Sequence, residues 1–140
     1  MAAELDEAML QALLRAAHAA RARAYAPYSK FQVGAAVLDE QGRVHAGCNV
    51  ENAAYPQGLC AEGLALGAMV LAGGRRARAL LVLGEGPAPV TPCGGCRQKL
   101  REFGGDDTPV LVANGGGVQL RTTLGALLPQ AFGPDHMEGA

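Results

Sequence analysis

The chain has 140 residues, is 49% hydrophobic and 18% charged, and carries a formal net charge of -1 with a pI near 6.3. That length suits one compact domain, here taken as residues 1–140, and the composition is that of a globular rather than a disordered chain. The near-neutral charge argues against a nucleic-acid binder held by phosphate contacts, and no apolar run approaches the about 18 residues of a membrane span.

The N-terminus, "MAAELDEAML", is acidic where an export signal would be basic, so a cytoplasmic, reducing location is expected. Residues 4 to 24 set Leu5, Met9, Ala12, Leu13, Ala16, Ala17, Ala20 and Ala24 at helical spacing. Glu4, Glu7, Gln11, Arg15 and His18 take the opposite face, so a first amphipathic helix is predicted. "APYS" breaks it, because Pro27 disfavours a helical Ala26. Phe31, Val33, Ala35 and Val37 then alternate with Gln32, Gly34 and Ala36, "DEQG" turns, and Val44 to Val50 returns as the second arm of a hairpin.

After the loop "ENAAYPQG", residues 60 to 72 predict a second helix ended by Gly73 and Gly74. Arg75, Arg76 and Arg78 are the only basic cluster and suit a solvated turn. "ALLVL" at 79–83 is of buried-strand type. A third helix is expected from about Cys93 to Phe103. Strands at 109–113 and 118–121, a short helix in "TLGALLP" and a loose tail at 133–140 complete the chain. The order α-β-β-α-β-α-β-β-α implies an α/β fold, a five-stranded mixed sheet covered by helices on both faces in three layers, α-β-α.

The chemistry lies in the cysteines, at 48, 60, 93 and 96. In a reducing compartment structural disulfides are disfavoured, which leaves a redox pair or a metal. The Cys93-Gly94-Gly95-Cys96 spacing alone fits a thioredoxin-type pair or half a zinc knuckle. A redox motif should follow the first long strand of a βαβ unit, whereas this one follows a Pro/Gly loop late in the chain. Cys60 opens the second helix and Cys93 and Cys96 the third. Helix N-termini favour thiolates, the form that binds metal. If the helix starts lie side by side, three thiolates converge, one short of a closed structural zinc shell. Cys48 reads instead as a small buried hydrophobe in its strand. Three protein ligands with an open position is the catalytic pattern. Glu62 is the one charge within "CAEGLALGAMVLAG", a segment apolar enough to be buried. Beside an open metal position it gains a proton-carrying task.

"CAE" at 60–62 with "PCGGC" at 92–96 resembles the zinc nucleoside deaminases. "AYAPYSKFQVGAAVLDEQGRVHAGCNVENAAYPQGLCAEG", "TPCGGCRQ" and "LLPQAF" resemble the small cytidine deaminases over roughly residues 20 to 132. The resemblance implies a cytidine deaminase-like fold with one zinc per subunit on Cys60, Cys93 and Cys96, and Glu62 as proton shuttle. It implies Asn49 and Glu51 on the sugar hydroxyl, Phe31 as an apolar wall and backbone contacts from Ala61. It further implies a homotetramer with shared active sites, Ala53, Tyr55 and Phe132 being the matching positions. The expected reaction is hydrolytic deamination of cytidine and 2′-deoxycytidine in pyrimidine salvage, without nucleic-acid or membrane partners. Alternatives are another nucleoside-like substrate, or a structural-zinc interaction module with Cys48 or a histidine as fourth ligand. One position departs from the family pattern: Gly63 stands where arginine is usual. Arg97 and the two helix dipoles are the expected sources of compensating positive charge around the thiolates.

Overall fold

The computed structural model describes residues 5–137. In chain order its elements are α1 (Glu7–Arg21), β1 (Gly34–Asp39), β2 (Val44–Cys48), α2 (Ala61–Leu71), β3 (Ala77–Leu83), α3 (Gly94–Phe103), β4 (Pro109–Asn114), β5 (Gly117–Thr123) and α4 (Leu124–Leu127). The strands form one mixed sheet in the order β2-β1-β3-β4-β5. Only β3 and β4 are parallel, and α3 is the crossover that parallel neighbours require. Both the element order and the mixed five-stranded sheet agree with the sequence-based expectation.

Alternation along the strands sorts the core into two halves. Ala36, Leu38, Leu81, Leu83 and Leu111 face α1, which inserts Leu10, Leu13 and Ala17. Val37, Leu80, Val82 and Val110 face the opposite way, against Ala65 and Met69 of α2 and Leu100 of α3. Helices on both faces bury every residue of β1, so its alternation is between two apolar layers and not between core and solvent. Two glycines let the helices touch the sheet backbone. A Cβ on Gly34 would collide with the Ala17 carbonyl of α1, and one on Gly47 with the Ala61 carbonyl and Ala65 N–H of α2. The second contact fixes where α2 begins.

Several boundaries differ from the sequence-based expectation. Helix α1 starts after the N-cap Asp6, whose carboxylate accepts from the Met9 N–H, and Glu4 lies outside the described residues. It ends at Arg21, before the expected residue 24, because Tyr25 leaves to form a bridge with Val50. Its buried stripe includes Leu10, which the predicted face omitted. Strand β1 starts at Gly34: residues 31–33 are extended but held by the Asn49 side chain. Cys48 is half-buried at the end of β2. Arg78 belongs to β3, not to the turn, and the backbone N–H groups of Arg75 and Arg76 bond Glu40. The tail expected to be loose carries a 3₁₀ turn, Pro134–His136, tied down by the Arg101–Asp135 salt bridge at 2.8 Å. Residues 138–140 of that tail lie outside the described residues.

Candidate active site and metal centre

Cys60 is the N-cap of α2 and Cys93 the N-cap of α3, with Cys96 in the first turn of α3. Neither N-cap sulfur makes a side-chain capping hydrogen bond of good geometry. The two helix starts are adjacent: Cys60 Sγ and Cys93 Sγ are 4.0 Å apart, and all three sulfurs lie within 4.8 Å of one another. An ion with about 2.3 Å bonds to sulfur in tetrahedral geometry separates its sulfurs by about 3.8 Å, so the cluster is close to the size zinc needs. All four cysteines are free thiols, and among the described residues this group contains three ligand atoms, without Cys48 or a histidine. The fourth-ligand alternative therefore has no candidate in the group.

The helix-start argument holds for one thiol of the three. The Cys96 backbone N–H draws the Cys93 thiol below its ordinary value. Burial pushes Cys60 up, and burial with the charges of Glu62 and Cys60 pushes Cys96 up further. Burial and mutual repulsion thus prevail at two of the three sites. Three thiols this close cannot all ionise together unless a cation lies among them. The donor set therefore suits a thiophilic cation such as zinc.

Glu62, in the first turn of α2, is 5% exposed. Burial holds its carboxyl above the usual carboxylate range, against the opposing effects of its own N–H, the Cys96 thiol and the positive charge of Lys99. A carboxyl shifted toward neutrality is suited to both accepting and returning a proton. A cavity of about 400 Å³ reaches it, lined by Cys60, Ala61, Glu62 and Cys93 together with Asn49 and Glu51.

Those two polar residues are held in place from behind. Asn49 Oδ1 accepts from the Val33 N–H and its Nδ2 donates to the Phe31 carbonyl, both at 2.8 Å. Glu51 Oε1 accepts from the Tyr28 and Ser29 N–H groups at 2.9 and 3.1 Å. These bonds, and the Ser29 hydroxyl, lower its pKa. Phe31 is 39% exposed and does not line the cavity; Val33, Leu59, Val82 and Val90 supply its apolar wall. Sequence pattern missed these four, though Val82 of β3 and Val33, just before β1, pack in the same core layer as α2. Tyr55 also lines the cavity yet is 76% exposed, in edge contact with Tyr28. Ala53 is exposed in the same loop. Phe132 is 59% exposed, stacked on His136 and far along the chain from the thiols.

Arg97 does not approach the sulfurs through hydrogen bonds. Its Nε donates to the Pro92 carbonyl at 2.7 Å, one terminal nitrogen to the Leu127 carbonyl at 2.8 Å and the other to Thr91 Oγ1 at 3.3 Å. Two carbonyls and a hydroxyl hold the Arg97 guanidinium on the Thr91–Cys93 approach, and none of these neutral partners cancels its charge.

On this three-layer fold, chemistry of that kind points to a class, the hydrolytic enzymes that pair a thiolate-held metal with a carboxyl proton carrier. Known proteins narrow it. Residues 7–112 match the family model for the cytidine and deoxycytidylate deaminase zinc-binding region. The chain is similar to the cytidine deaminase of Sporosarcina psychrophila, 43% identical over 131 residues that cover 94% of this chain and 96% of that one. It is 46% identical over 122 residues to the cytidine deaminase of Mycobacterium tuberculosis strain H37Rv, covering 84% and 85% of the two chains. The crystal structure of the Burkholderia pseudomallei cytidine deaminase superposes with a TM-score of 0.81 at 48% identity, over 87% of this chain and 98% of that one. The chain belongs to the cytidine and deoxycytidylate deaminase family.

Proposed function

We propose that this protein deaminates cytidine and 2′-deoxycytidine hydrolytically, giving uridine or 2′-deoxyuridine and ammonia, with one zinc per subunit held by Cys60, Cys93 and Cys96. The observation that carries this reading is the meeting of three sulfurs within 4.8 Å beside a buried glutamate at the wall of one cavity. When bound, zinc supplies the Lewis acidity that makes water nucleophilic near neutral pH.

Glu62 does the proton work. It takes a proton from water as the oxygen bonds to C4 of the base and delivers it to the ring N3; it then takes the remaining proton of the C4 hydroxyl and gives it to the exocyclic amine, so that the C4–N bond breaks, ammonia leaves and the C4 carbonyl forms. Its burial suits this cycle, because a carboxyl kept from bulk water exchanges its proton with substrate rather than solvent. Asn49 and Glu51 bind the sugar hydroxyl. Each keeps hydrogen-bonding capacity beyond its backbone partners, and those partners fix its orientation. The backbone at Ala61 meets the base; Val33 is an apolar wall in the cavity, and Phe31, partly exposed outside its lining with its carbonyl bonded by Asn49, extends that wall toward the nucleoside.

Ala53, Tyr55 and Phe132 complete the sites of neighbouring subunits in a homotetramer. The exposure of Tyr55 and Phe132 supports this, since large aromatic rings left in water commonly mark contact surfaces. On this reading the protein acts on a free nucleoside in the cytoplasm, in pyrimidine salvage. No helix among the described residues is long and apolar enough to cross a membrane. The test is direct: zinc-loaded protein mixed with cytidine should change the ultraviolet spectrum from that of cytosine to that of uracil, with ammonia released one for one. Absence of uridine and 2′-deoxyuridine from such mixtures would overturn the proposal.

A further inference from the structure

Position 63, in the first turn of α2, is glycine and brings no charge to the thiol centre, and the Arg97 guanidinium is taken up by the Pro92 and Leu127 carbonyls and Thr91 Oγ1. We propose that Lys99 of α3 supplies the missing positive charge at the three-thiolate centre, and that Gly63 and Gly95 form the slot through which it reaches. The inference rests on reading that centre as a zinc site.

The geometry is specific. The Lys99 side chain crosses from α3 to the first turn of α2, where its Cδ and Cε lie 3.5 and 3.7 Å from the place a Cβ on Gly63 would occupy. Its Nζ turns back to within 3.6 Å of the corresponding place on Gly95. Gly63 directly follows Glu62, and Gly95 directly precedes Cys96. The stem therefore lies over the two helix starts that carry the site. A long side chain growing from position 63 and the lysine at 99 would compete for one space, so one cation is exchanged for the other.

Charge explains why the lysine lies there. The N-terminal turn of a helix is its positive end, an unfavourable place for an ammonium. Three thiolates and one Zn²⁺ sum to -1, which reverses that balance. Among the described residues Lys99 forms no salt bridge with a carboxylate, so its charge is not neutralised by a partner. Lys99 is a positioning residue: it touches neither substrate nor metal and acts through the charge of the centre.

Chelator competition on the purified protein measures the effect without relying on turnover. Zinc affinity would be compared for wild type, Lys99→Met, Lys99→Arg and the double variant Gly63→Arg/Lys99→Met, with kcat/KM on the same samples. Lys99→Met should bind zinc about tenfold more weakly, within the range found when groups supporting metal ligands are removed. Lys99→Arg should stay within about twofold of wild type, and the double variant should recover most of the loss. Lys99 is exposed, so these changes should leave the melting temperature of the metal-free protein unchanged. Wild-type zinc affinity in Lys99→Met overturns the proposal, and so does a loss that neither arginine repairs. Wild-type protein that binds no zinc would instead overturn the metal reading beneath it.

Discussion

Two buried carboxylates stand at different places in this molecule, and their surroundings drive them in opposite directions. Asp39, at the β1–β2 turn, is 0% exposed. Its Oδ1 accepts from the Gln41 and Arg43 N–H groups, each at 2.9 Å. Its Oδ2 takes the Arg43 Nε at 2.9 Å and faces His45 Nε2 at 2.8 Å. Burial alone would raise its pKa, but the bonds from His45, Arg43 and Gln41 outweigh it and hold the group down to about 2. Glu62, at 5% exposure, has no such set of donors, and burial wins. A carboxylate with every lone pair answered is a structural anchor that stays charged. One buried with fewer partners can change protonation state at little cost, which is what proton transfer needs.

Substitutions that keep shape and remove charge test this contrast. Glu62→Gln should lower kcat by about a thousandfold while zinc content stays at wild type, as steady-state kinetics and metal analysis would show. Retained turnover would break the contrast outright. Asp39→Asn should do the reverse. Stability to urea should fall by about 2–3 kcal/mol, because the Arg43 guanidinium and two N–H groups lose their ionised partner, while kcat/KM of the folded protein holds.

Acid sharpens the distinction further. The native Asp39 pKa of about 2 lies below the ordinary 3.8, so as pH falls the unfolded chain takes up the proton first. Its contribution, about 2 kcal/mol, is complete above about pH 4 and disappears as pH falls through about 2. Urea melts across that range should show this slope in wild type and a shallower one in Asp39→Asn. The arginines differ in the same sense as the acids, since Arg43 neutralises Asp39 and Arg97 clamps carbonyls. Arg97→Ala should cost about 1–2 kcal/mol in stability with zinc still bound one per chain. Loss of zinc without loss of stability would return Arg97 to the role of charge partner.

What the sequence discloses here is local. Helix starts at Cys60 and Cys93 are legible because proline and glycine punctuate the loops before them, and the buried runs at 79–83 and 109–113 give β3 and β4 almost to the residue. The start of β1 is illegible, because Phe31 and Val33 continue the strand's alternation while the Asn49 side chain takes the Val33 N–H and the Phe31 carbonyl that a strand ladder would use. The end of α1 is hidden for a similar reason: the Tyr25–Val50 bridge is a distant pairing that outcompetes a run of alanines. In the site, ligand types and spacing carry over from motif to space. Contacts between helices do not: Lys99 meets Gly63 only because α2 and α3 pack side by side.

X-ray absorption at the zinc edge of the protein as purified bears most directly on the central claim. One zinc per chain, with three sulfur neighbours near 2.3 Å and one lighter oxygen or nitrogen neighbour, is the predicted result. Four sulfurs around the ion, or a protein that holds no zinc after reconstitution, would contradict it.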